Sequence, residues 1–318
     1  MQTRRLGNTD LEISVVGLGT WAMSGTGWKF SWGPQDDEQS IQTIWKAFDL
    51  GINWIDTAPI YGLGHSEEVV GRALAGMRTR PFVATKCGRF ANPDGSLYSR
   101  IMRESIRKEV EDSLRRLRID AIDLYQIHWP DPVELIEEAW LTMADLVHEG
   151  KIRYAGVSNF NEKQMNRIMP IHPIASLQPP YSMVKREIEP ETLPFCKKHH
   201  IGVIVYSPLQ KGLLTGKFTR ERIASLSEDD HRKRDSFFKE PQLSGVLKLV
   251  DELRPVAKKY GKSIAQLAVA WTLRRPEITA AIAGGRSPGQ VVEWAEAGDW
   301  SLDPSDIERI ENLIGFWI

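Results

Sequence analysis

The sequence has few cysteines and no long apolar segment. Only Cys87 and Cys196 occur among its 318 residues, which is too few for a disulfide framework. We therefore expect a protein of a reducing compartment, the cytoplasm. No run of 18 apolar residues is present, and residues 1–16 combine basic residues with no long apolar stretch. Neither a membrane span nor a secretory signal is expected.

An excess of charge of either sign is also lacking. The 41 Lys and Arg residues are balanced by 42 Asp and Glu residues, so the formal net charge is −1. Because nucleic-acid-binding domains usually carry a basic face, we do not expect a nucleic-acid partner. The hydrophobic share of 42% and charged share of 26% exclude a disordered chain. Eleven tryptophans are many, and several follow turn residues, where they are candidates for lining a pocket.

Short apolar runs alternate with amphipathic stretches along the chain. Glycine, proline, asparagine and aspartate bound the runs, which is typical of buried strands. The runs are 13–16, 52–58, 82–86, 121–129, 152–159, 174–178, 202–207 and 278–284. Helical spacing of apolar residues is found in 36–50, 66–75, 102–117, 133–149, 161–169, 189–199, 246–260, 263–274 and 303–314. Eight strand-then-helix units predict an α/β fold, the (β/α)₈ TIM barrel.

The remaining segments predict additions to this barrel. Residues 4–15, with Gly7-Asn8 as the turn, predict an N-terminal β-hairpin that covers one barrel end. The helical patterns near the end predict extra C-terminal helices, and residues 208–245 predict a long surface loop. No linker or repeat divides the chain, so we expect one barrel domain over residues 1–318.

Polar residues end several of the apolar runs. The active site of such a barrel lies at the C-terminal ends of its strands. Asp56 lies at the end of the second run and Tyr61 five residues on, the third run ends in Lys86, and the fourth ends in His128-Trp129. A buried lysine needs a partner, which Asp56 could supply. These residues are either a structural ion pair that caps the barrel or a site of proton transfer.

The chemistry available to this set is specific. An ammonium about 4 Å from a tyrosine hydroxyl contributes roughly 4 kcal/mol at an effective dielectric of 20. Lys86 is therefore predicted to lower the pKa of Tyr61 by up to about three units. Asp56 would keep Lys86 protonated, and His128 would orient a carbonyl oxygen. Because no serine or cysteine nucleophile motif is evident, a general acid working with a hydride-donating cofactor is the favoured interpretation.

Residues 56–62, DTAPIYG, with Ser66-Glu67 following, resemble the signature of the aldo-keto reductase superfamily. Later segments are similar to further motifs of that superfamily, in the same order and over nearly the whole chain: GVSNF at 156–160, SPL at 207–209 and GLLTGK at 212–217. The segments HWPD at 128–131 and QPPY at 178–181 are most similar to the bacterial general-stress branch, which is related to the potassium-channel β-subunits.

The resemblance implies a catalytic tetrad of Asp56, Tyr61, Lys86 and His128. It also implies NADP(H) lying extended across the barrel mouth, with no Rossmann domain. The cofactor-binding positions that it implies are Thr20, Trp21, Ser158, Asn159, Gln178, Tyr206, Ser207, Pro208, Leu209, Gly212, Lys217, Arg232, Gly284, Arg286, Gln290 and Glu293. For Arg232, a solvated surface charge is the alternative.

Within that set the resemblance implies distinct roles. The carboxamide would be held by Ser158, Asn159 and Gln178, and Tyr206 would stack on the nicotinamide. The loop from Ser207 to Lys217 would grip the pyrophosphate. The 2′-phosphate and adenine contacts would come from Arg286, Gln290 and Glu293, with Trp294 standing where many relatives have asparagine.

The substrate pocket is predicted to be walled by tryptophans. The candidates are Trp21, Trp28, Trp32 and Trp129, and loop packing is the alternative for the last three. We expect a small carbonyl substrate, no membrane or metal, and a monomer or weak homo-oligomer.

Three functions remain open at this stage. The first is NADPH-dependent reduction of aldehydes and ketones, and the second is oxidation of a polyol or sugar by the same residues. The third is a slow cofactor-binding sensor or regulatory subunit like the channel β-subunits. Those channel proteins carry asparagine at the position of His128, so His128 favours an enzyme.

Overall fold

The computed structural model describes residues 1–226 and 230–318. Its strands are β1 Thr3–Arg5, β2 Glu12–Ser14, β3 Val16–Gly19, β4 Trp54–Asp56, β5 Phe82–Cys87, β6 Arg89–Ala91, β7 Leu97–Ser99, β8 Ile122–Ile127, β9 Ile152–Ser158, β10 Ser176–Gln178, β11 Gly202–Tyr206 and β12 Ala280–Gly284. Eight of these strands form a closed parallel barrel in the order β3-β4-β5-β8-β9-β10-β11-β12, and β12 pairs with β3. The predicted (β/α)₈ barrel is confirmed, and each predicted apolar run contributes to one barrel strand.

Helices alternate with the barrel strands. They are α1 Asp37–Asp49, α2 His65–Ala75, α3 Arg103–Leu117, α4 Ile136–His148, α5 Glu162–Ile168, α6 Thr192–Lys198, α7 Arg220–Ala224, α8 Gln242–Lys259, α9 Ile264–Leu273, α10 Pro288–Ala295 and α11 Pro304–Trp317. Several begin at the caps that their sequences provide. Asp36 accepts a hydrogen bond from Gln39 N at the start of α1, and Ser263 forms a capping box with Gln266 at the start of α9. None of the helices in the described ranges is long and apolar enough to cross a membrane.

The N-terminal hairpin closes one end of the barrel. Strands β1 and β2 pair antiparallel, and Leu6, Leu11 and Ile13 pack in a core cluster with barrel residues such as Trp54. The turn contains Gly7 at φ +53°, where a Cβ atom would lie 2.4 Å from the backbone nitrogen of Gly202. Only glycine fits this close approach.

The first predicted run is divided between two strands. Residues 13–16 were expected to form one barrel strand, but β2 ends at Ser14 and the barrel strand β3 begins at Val16. The Ser14 hydroxyl donates to the Val16 carbonyl oxygen at 2.7 Å. This local hydrogen bond competes with a continuous strand, which apolar pattern alone could not show.

The stretch 208–245 is more structured than the prediction of a surface loop. It contains short 3₁₀ helices at Gln210–Thr215, His231–Arg234 and Ser236–Phe238, together with α7 and the start of α8. Residues 227–229 of the stretch lie outside the described residues. Leu214 and Phe238 are buried in the main core, and this burial anchors a segment that lacks strong periodicity.

Candidate active site

A cavity of about 550 Å³ opens at the C-terminal ends of the barrel strands. Its size is typical of a small-molecule site. Strand ends that line it are Gly19, Asp56, Ser158, Gln178, Tyr206 and Gly284. The parallel barrel therefore brings together residues from six strands at the end where barrel enzymes carry their chemistry.

An ion pair is buried beneath the cavity floor. Lys86 is fully buried on β5, and its Nζ donates to Asp56 Oδ1 at 2.7 Å and to the Thr57 carbonyl oxygen at 2.9 Å. Burial lowers the pKa of Lys86, while the Asp56 carboxylate opposes that shift. Asp56 thus holds the ammonium in place at the side of the cavity where Tyr61 lies.

Tyr61 lies in the turn that follows β4 and lines the cavity. The Lys86 Nζ is 5.3 Å from its ring centroid, and the His128 ring meets it edge-on at 6.1 Å. Burial, with Asp56 adding to it, raises the pKa of Tyr61 well above 10. The predicted lowering by Lys86 is therefore wrong. The phenolate form of Tyr61 would lose its hydration in the cavity wall, which raises the pKa. Asp56 offsets the positive charge of Lys86, which would otherwise lower it.

His128 follows β8 and also faces the cavity. Burial lowers its pKa well below 6.5, and the charges of Lys86 and Arg89 add to this effect. The imidazole is consequently neutral at pH 7, so it can orient an oxygen through a hydrogen bond without being a cationic acid. Asp56, Tyr61, Lys86 and His128 are together in one site, as the sequence predicted.

Gln178 connects this group to the opposite side of the barrel. Its Nε2 donates to Asp56 Oδ2 at 2.8 Å across 122 residues of sequence. The backbone carbonyl oxygen of Gln178 accepts a hydrogen bond from Ser158 Oγ at 2.8 Å. Asp56 therefore has both carboxylate oxygens engaged, one by Lys86 and the other by Gln178.

Asn159 is held by the walls of the site. Its Nδ2 donates to the His128 carbonyl oxygen at 3.0 Å, and its Oδ1 accepts from the Tyr206 hydroxyl at 3.0 Å. Its backbone is left-handed, at φ +62°. The residues predicted to hold a carboxamide are thus already tied to the residues around Tyr61.

Basic side chains line the other half of the cavity: Lys211, Lys217, Arg222, Arg232 and Arg286. Ser207, Pro208, Leu209 and Gly212 line it too, and Gly212 has φ +102°. Helix α10 begins beside it, with the Ser287 side chain accepting from Gln290 N. A positive donor set and a helix N-terminus fit the phosphates of an extended dinucleotide.

Several residues that were predicted to contact the phosphate or the adenine form hydrogen bonds with one another or with neighbouring residues. Arg286 donates from Nη1 to the Trp32 carbonyl oxygen at 2.9 Å and from Nε to Gln35 Oε1 at 2.8 Å. Gln290 Oε1 accepts from the Arg286 backbone nitrogen, and Glu293 pairs with Lys217. All four predicted residues line the cavity, but a 2′-phosphate would have to share Arg286 with residues 32–35.

Three further positions singled out in the sequence also line the cavity. Arg232 is only 12% exposed at its side chain, binds Asp230 and covers the Trp32 ring at 4.8 Å. The alternative of a solvated charge is therefore excluded for Arg232. Trp294 lines the cavity and is 2% exposed, so this side chain is part of the cavity wall. Thr20 also lines the cavity and is fully buried.

Aromatic residues form another part of the cavity wall. Trp21 stacks on Tyr61 with ring centroids 5.9 Å apart and meets Trp32 edge-on at 6.4 Å. Trp28 donates from Nε1 to Ser24 Oγ at 2.9 Å. Every tryptophan of the predicted pocket lines the cavity: Trp21, Trp28, Trp32 and Trp129.

Some cavity residues were not predicted. They include Phe30, Arg89, Leu97, Lys211, Phe218 and Ile282. Arg89 stands three positions after Lys86, and Lys211 directly precedes Gly212, so proximity to predicted residues was the available signal. The hairpin of β6 and β7 carries Arg89 and Leu97, and its strands of three residues are too short for a periodic pattern.

A buried carboxyl lies behind the end of β5. Both carboxyl oxygens of Glu109, on α3, accept from Gly88 N at 3.0 and 3.1 Å. Burial raises the pKa of Glu109 from 4.5 to about 8, and this backbone bond opposes the shift. Burial raises the pKa of the Cys87 thiol, and the charge of Glu109 raises it further.

The raised pKa of Glu109 predicts a pH-dependent stability. Its contribution is fully present below about pH 4.5 and is lost as pH rises to about 8, because only the unfolded chain ionises it in that window. We expect Glu109→Gln to remove up to about 5 kcal/mol of this decline. Urea unfolding of both proteins from pH 4 to pH 9 spans this window and measures the decline. Glu104→Gln, on the exposed face of α3, is the control, and equal slopes in all three proteins would contradict the assignment.

Comparison with known proteins gives one consistent family. The model of the Aldo/keto reductase family matches residues 15–314. Aldo-keto reductase YhdN of Bacillus subtilis (strain 168) is 42% identical over 317 residues, covering 99% of this chain and 94% of that protein. The NADH-specific methylglyoxal reductase of Escherichia coli (strain K12) is 36% identical, with 97% of each chain covered. The structure of the glycerol dehydrogenase AKR11B4 from Gluconobacter oxydans superposes with a TM-score of 0.91 at 41% identity, covering 100% of this chain and 96% of that one.

Proposed function

Because the chain belongs to the aldo/keto reductase family and is thus an oxidoreductase, we propose that it reduces aldehydes and ketones to alcohols with NADPH. The observation that carries this proposal is the grouping of Asp56, Tyr61, Lys86 and His128 beside a cavity with a basic far half. Tyr61 is the proton donor, and a bound nicotinamide would supply the hydride.

The residues of the chain have separate tasks in this reaction. Tyr61 is protonated at neutral pH, since burial raises its pKa further above the ordinary tyrosine value of about 10, and its hydroxyl is therefore available to donate to a developing alkoxide. Neutral His128 orients the carbonyl oxygen. The Lys86 ammonium, which Asp56 holds in place, lies 5.3 Å from the centre of the Tyr61 ring, where negative charge forms as the proton leaves. Asp56 offsets part of this positive charge.

The basic half of the cavity supports the choice of NADP(H). Arg286 offers a planar fork suited to a 2′-phosphate. The relative from Escherichia coli is NADH-specific by name, so the cofactor must be tested directly.

We expect Arg286→Gln to raise the KM for NADPH by about 10-fold to 100-fold and to change the KM for NADH less than about twofold. The reason is that only NADPH presents a phosphate to this guanidinium. Gln35→Ala loosens the same loop contact but keeps the charge, so it serves as the control. Equal effects on both cofactors, or a wild-type preference for NADH, would overturn the role of Arg286.

Oxidation of a polyol is the second candidate. It is favoured by the similarity to the glycerol dehydrogenase structure. The same residues serve it in reverse, with Tyr61 in its deprotonated form accepting the proton of the alcohol.

One panel separates the candidates. Reduced-cofactor consumption is followed with methylglyoxal, nitrobenzaldehyde, pyridoxal, a hexose and an inositol, each with NADPH and with NADH, and the reverse reaction is run with polyols. Turnover above about 1 s⁻¹ on one carbonyl class supports the reductase. Turnover only with polyols supports the dehydrogenase. Tight cofactor binding with no turnover in either direction would instead support a sensor or regulatory subunit.

We also propose that residues 1–318 act as one cytoplasmic barrel domain, either a monomer or a weak homo-oligomer. Support for the single domain comes from the packing of the terminal helix α11 on α8. Sedimentation at two protein concentrations tests the oligomeric state.

A further inference from the structure

Arg89 stands at the rim of the cavity, on the hairpin formed by β6 and β7. It is the first residue of β6 and lines the cavity together with Leu97 of β7. Its guanidinium carbon lies 5.9 Å from the centroid of the Trp129 ring, and its Nη1 donates to Ser99 Oγ at 2.8 Å. The fork of Arg89 is therefore oriented by an aromatic face and a hydroxyl.

Arg89 differs from Lys211, Lys217 and Arg232, which also line the cavity, in lacking a carboxylate partner. Arg222 and Arg286 form no ion pair within the described residues either, but Arg222 donates to a backbone oxygen and Arg286 to the oxygens of Trp32 and Gln35. Lys211 binds Asp235 and Lys217 binds Glu293, whereas Arg89 makes no ion pair within residues 1–226 and 230–318. Asp131 affects its pKa only through charge, and burial lowers that pKa. A guanidinium stays charged in proteins, so a partly buried one without a counter-ion favours an anionic ligand.

The place of Arg89 relative to the reacting group indicates which ligand this is. Its charge contributes to the lowered pKa of His128, and it packs on Trp129, the next residue along the chain. The other basic cavity residues come from different segments, beyond β11. A carbonyl compound that binds at Tyr61 and His128 would thus have Arg89 as the basic residue on the same side of the cavity.

On the premise of the proposed carbonyl reduction, we propose that Arg89 binds a carboxylate on the substrate. The enzyme then prefers aldehydes or ketones that carry a carboxylate over neutral compounds of the same shape. A planar fork suits the two oxygens of a carboxylate. A single cation balances its single charge, whereas a phosphate dianion would be better matched by a second cation.

The test compares 4-carboxybenzaldehyde with its neutral isostere 4-formylbenzamide. Wild-type enzyme is expected to have the higher kcat/KM for the carboxylate. Arg89→Gln should lower kcat/KM for the carboxylate by about 10-fold to 100-fold, mainly through KM, and change the value for the amide less than about twofold. Arg89→Lys, which keeps the charge but loses the fork, should give an intermediate loss.

Lys29→Gln is the matched control. Lys29 is an exposed cation that packs near Gly95 in the turn of the same hairpin, and it does not line the cavity. Its removal is expected to change both substrates less than about twofold. Equal losses on both substrates in Arg89→Gln, or no loss on either, would overturn the carboxylate site while leaving the reductase intact. Absence of turnover on both aldehydes by the wild-type enzyme, with cofactor bound, would instead overturn the proposed function.

Discussion

Tyr61→Phe is expected to lower kcat by about 10²-fold to 10⁴-fold, because it removes the proton donor of the proposed reaction. The ring remains, so its stacking on Trp21 at 5.9 Å and its edge contact with His128 are preserved. The KM for the cofactor and the unfolding midpoint should therefore change little. Steady-state kinetics with the best carbonyl substrate, together with thermal unfolding, measures both quantities.

Tyr154→Phe is the matched control for Tyr61→Phe. The Tyr154 hydroxyl donates to Asp10 in the N-terminal hairpin, and Tyr154 does not line the cavity. Its loss should leave kcat within about twofold. Full turnover by Tyr61→Phe would show that another group supplies the proton, and the assignment of Tyr61 would have to be withdrawn.

Lys86→Met is expected to affect both stability and activity. It leaves the Asp56 carboxylate buried at 3% exposure without its ammonium, which costs about 3–5 kcal/mol in a buried pair. The hydrogen bond from Gln178 remains, but it does not replace the lost charge. Urea unfolding gives the free energy of unfolding, and kinetics gives the loss of kcat, which we expect to exceed about 10²-fold.

The double variant Asp56→Asn/Lys86→Met tests whether the cost comes from the unpaired carboxylate. We expect it to be more stable than Lys86→Met alone, because neutral asparagine removes the uncompensated buried charge. Activity should stay low, since the charge beside Tyr61 is absent in both variants. Stability costs that simply add would show that Lys86 and Asp56 do not interact in the folded protein.

Local pattern was sufficient to predict the architecture and to select the residues that carry the proposed chemistry. Strand periodicity and turn residues are properties of short segments, so the eight runs and the hairpin turn at Gly7 could be predicted without knowing any contact. In a barrel of parallel strands, all C-terminal ends meet at one face. Asp56, Lys86 and His128 could therefore be placed together from their positions in or near the ends of apolar runs. Tyr61 joined them by its closeness in sequence to Asp56.

Resemblance to the family's motifs extended the prediction to the residues that line the cavity. It could not describe the hydrogen bonds and ion pairs that these residues form with one another. The Gln178 amide donates to Asp56 across 122 residues, and Arg286 donates to Gln35 across 251 residues. No local pattern encodes such pairs. Ser14 and Val16 show the same limit at short range, because a side-chain hydrogen bond joins them where the predicted run is divided into two strands.

The sequence by itself determined the barrel, its N-terminal hairpin and the residues that carry the proposed chemistry. Only the tertiary structure decided the electrostatic state of those residues. From the sequence, we predicted that Lys86 lowers the pKa of Tyr61, whereas burial and Asp56 raise it in the folded protein. Likewise, only the folded cavity distinguishes Arg89, without an ion pair in the described ranges, from Lys217, which binds Glu293. The physical reason is that desolvation and charge pairing depend on every neighbour in space, while strand and turn formation depend mainly on neighbours along the chain.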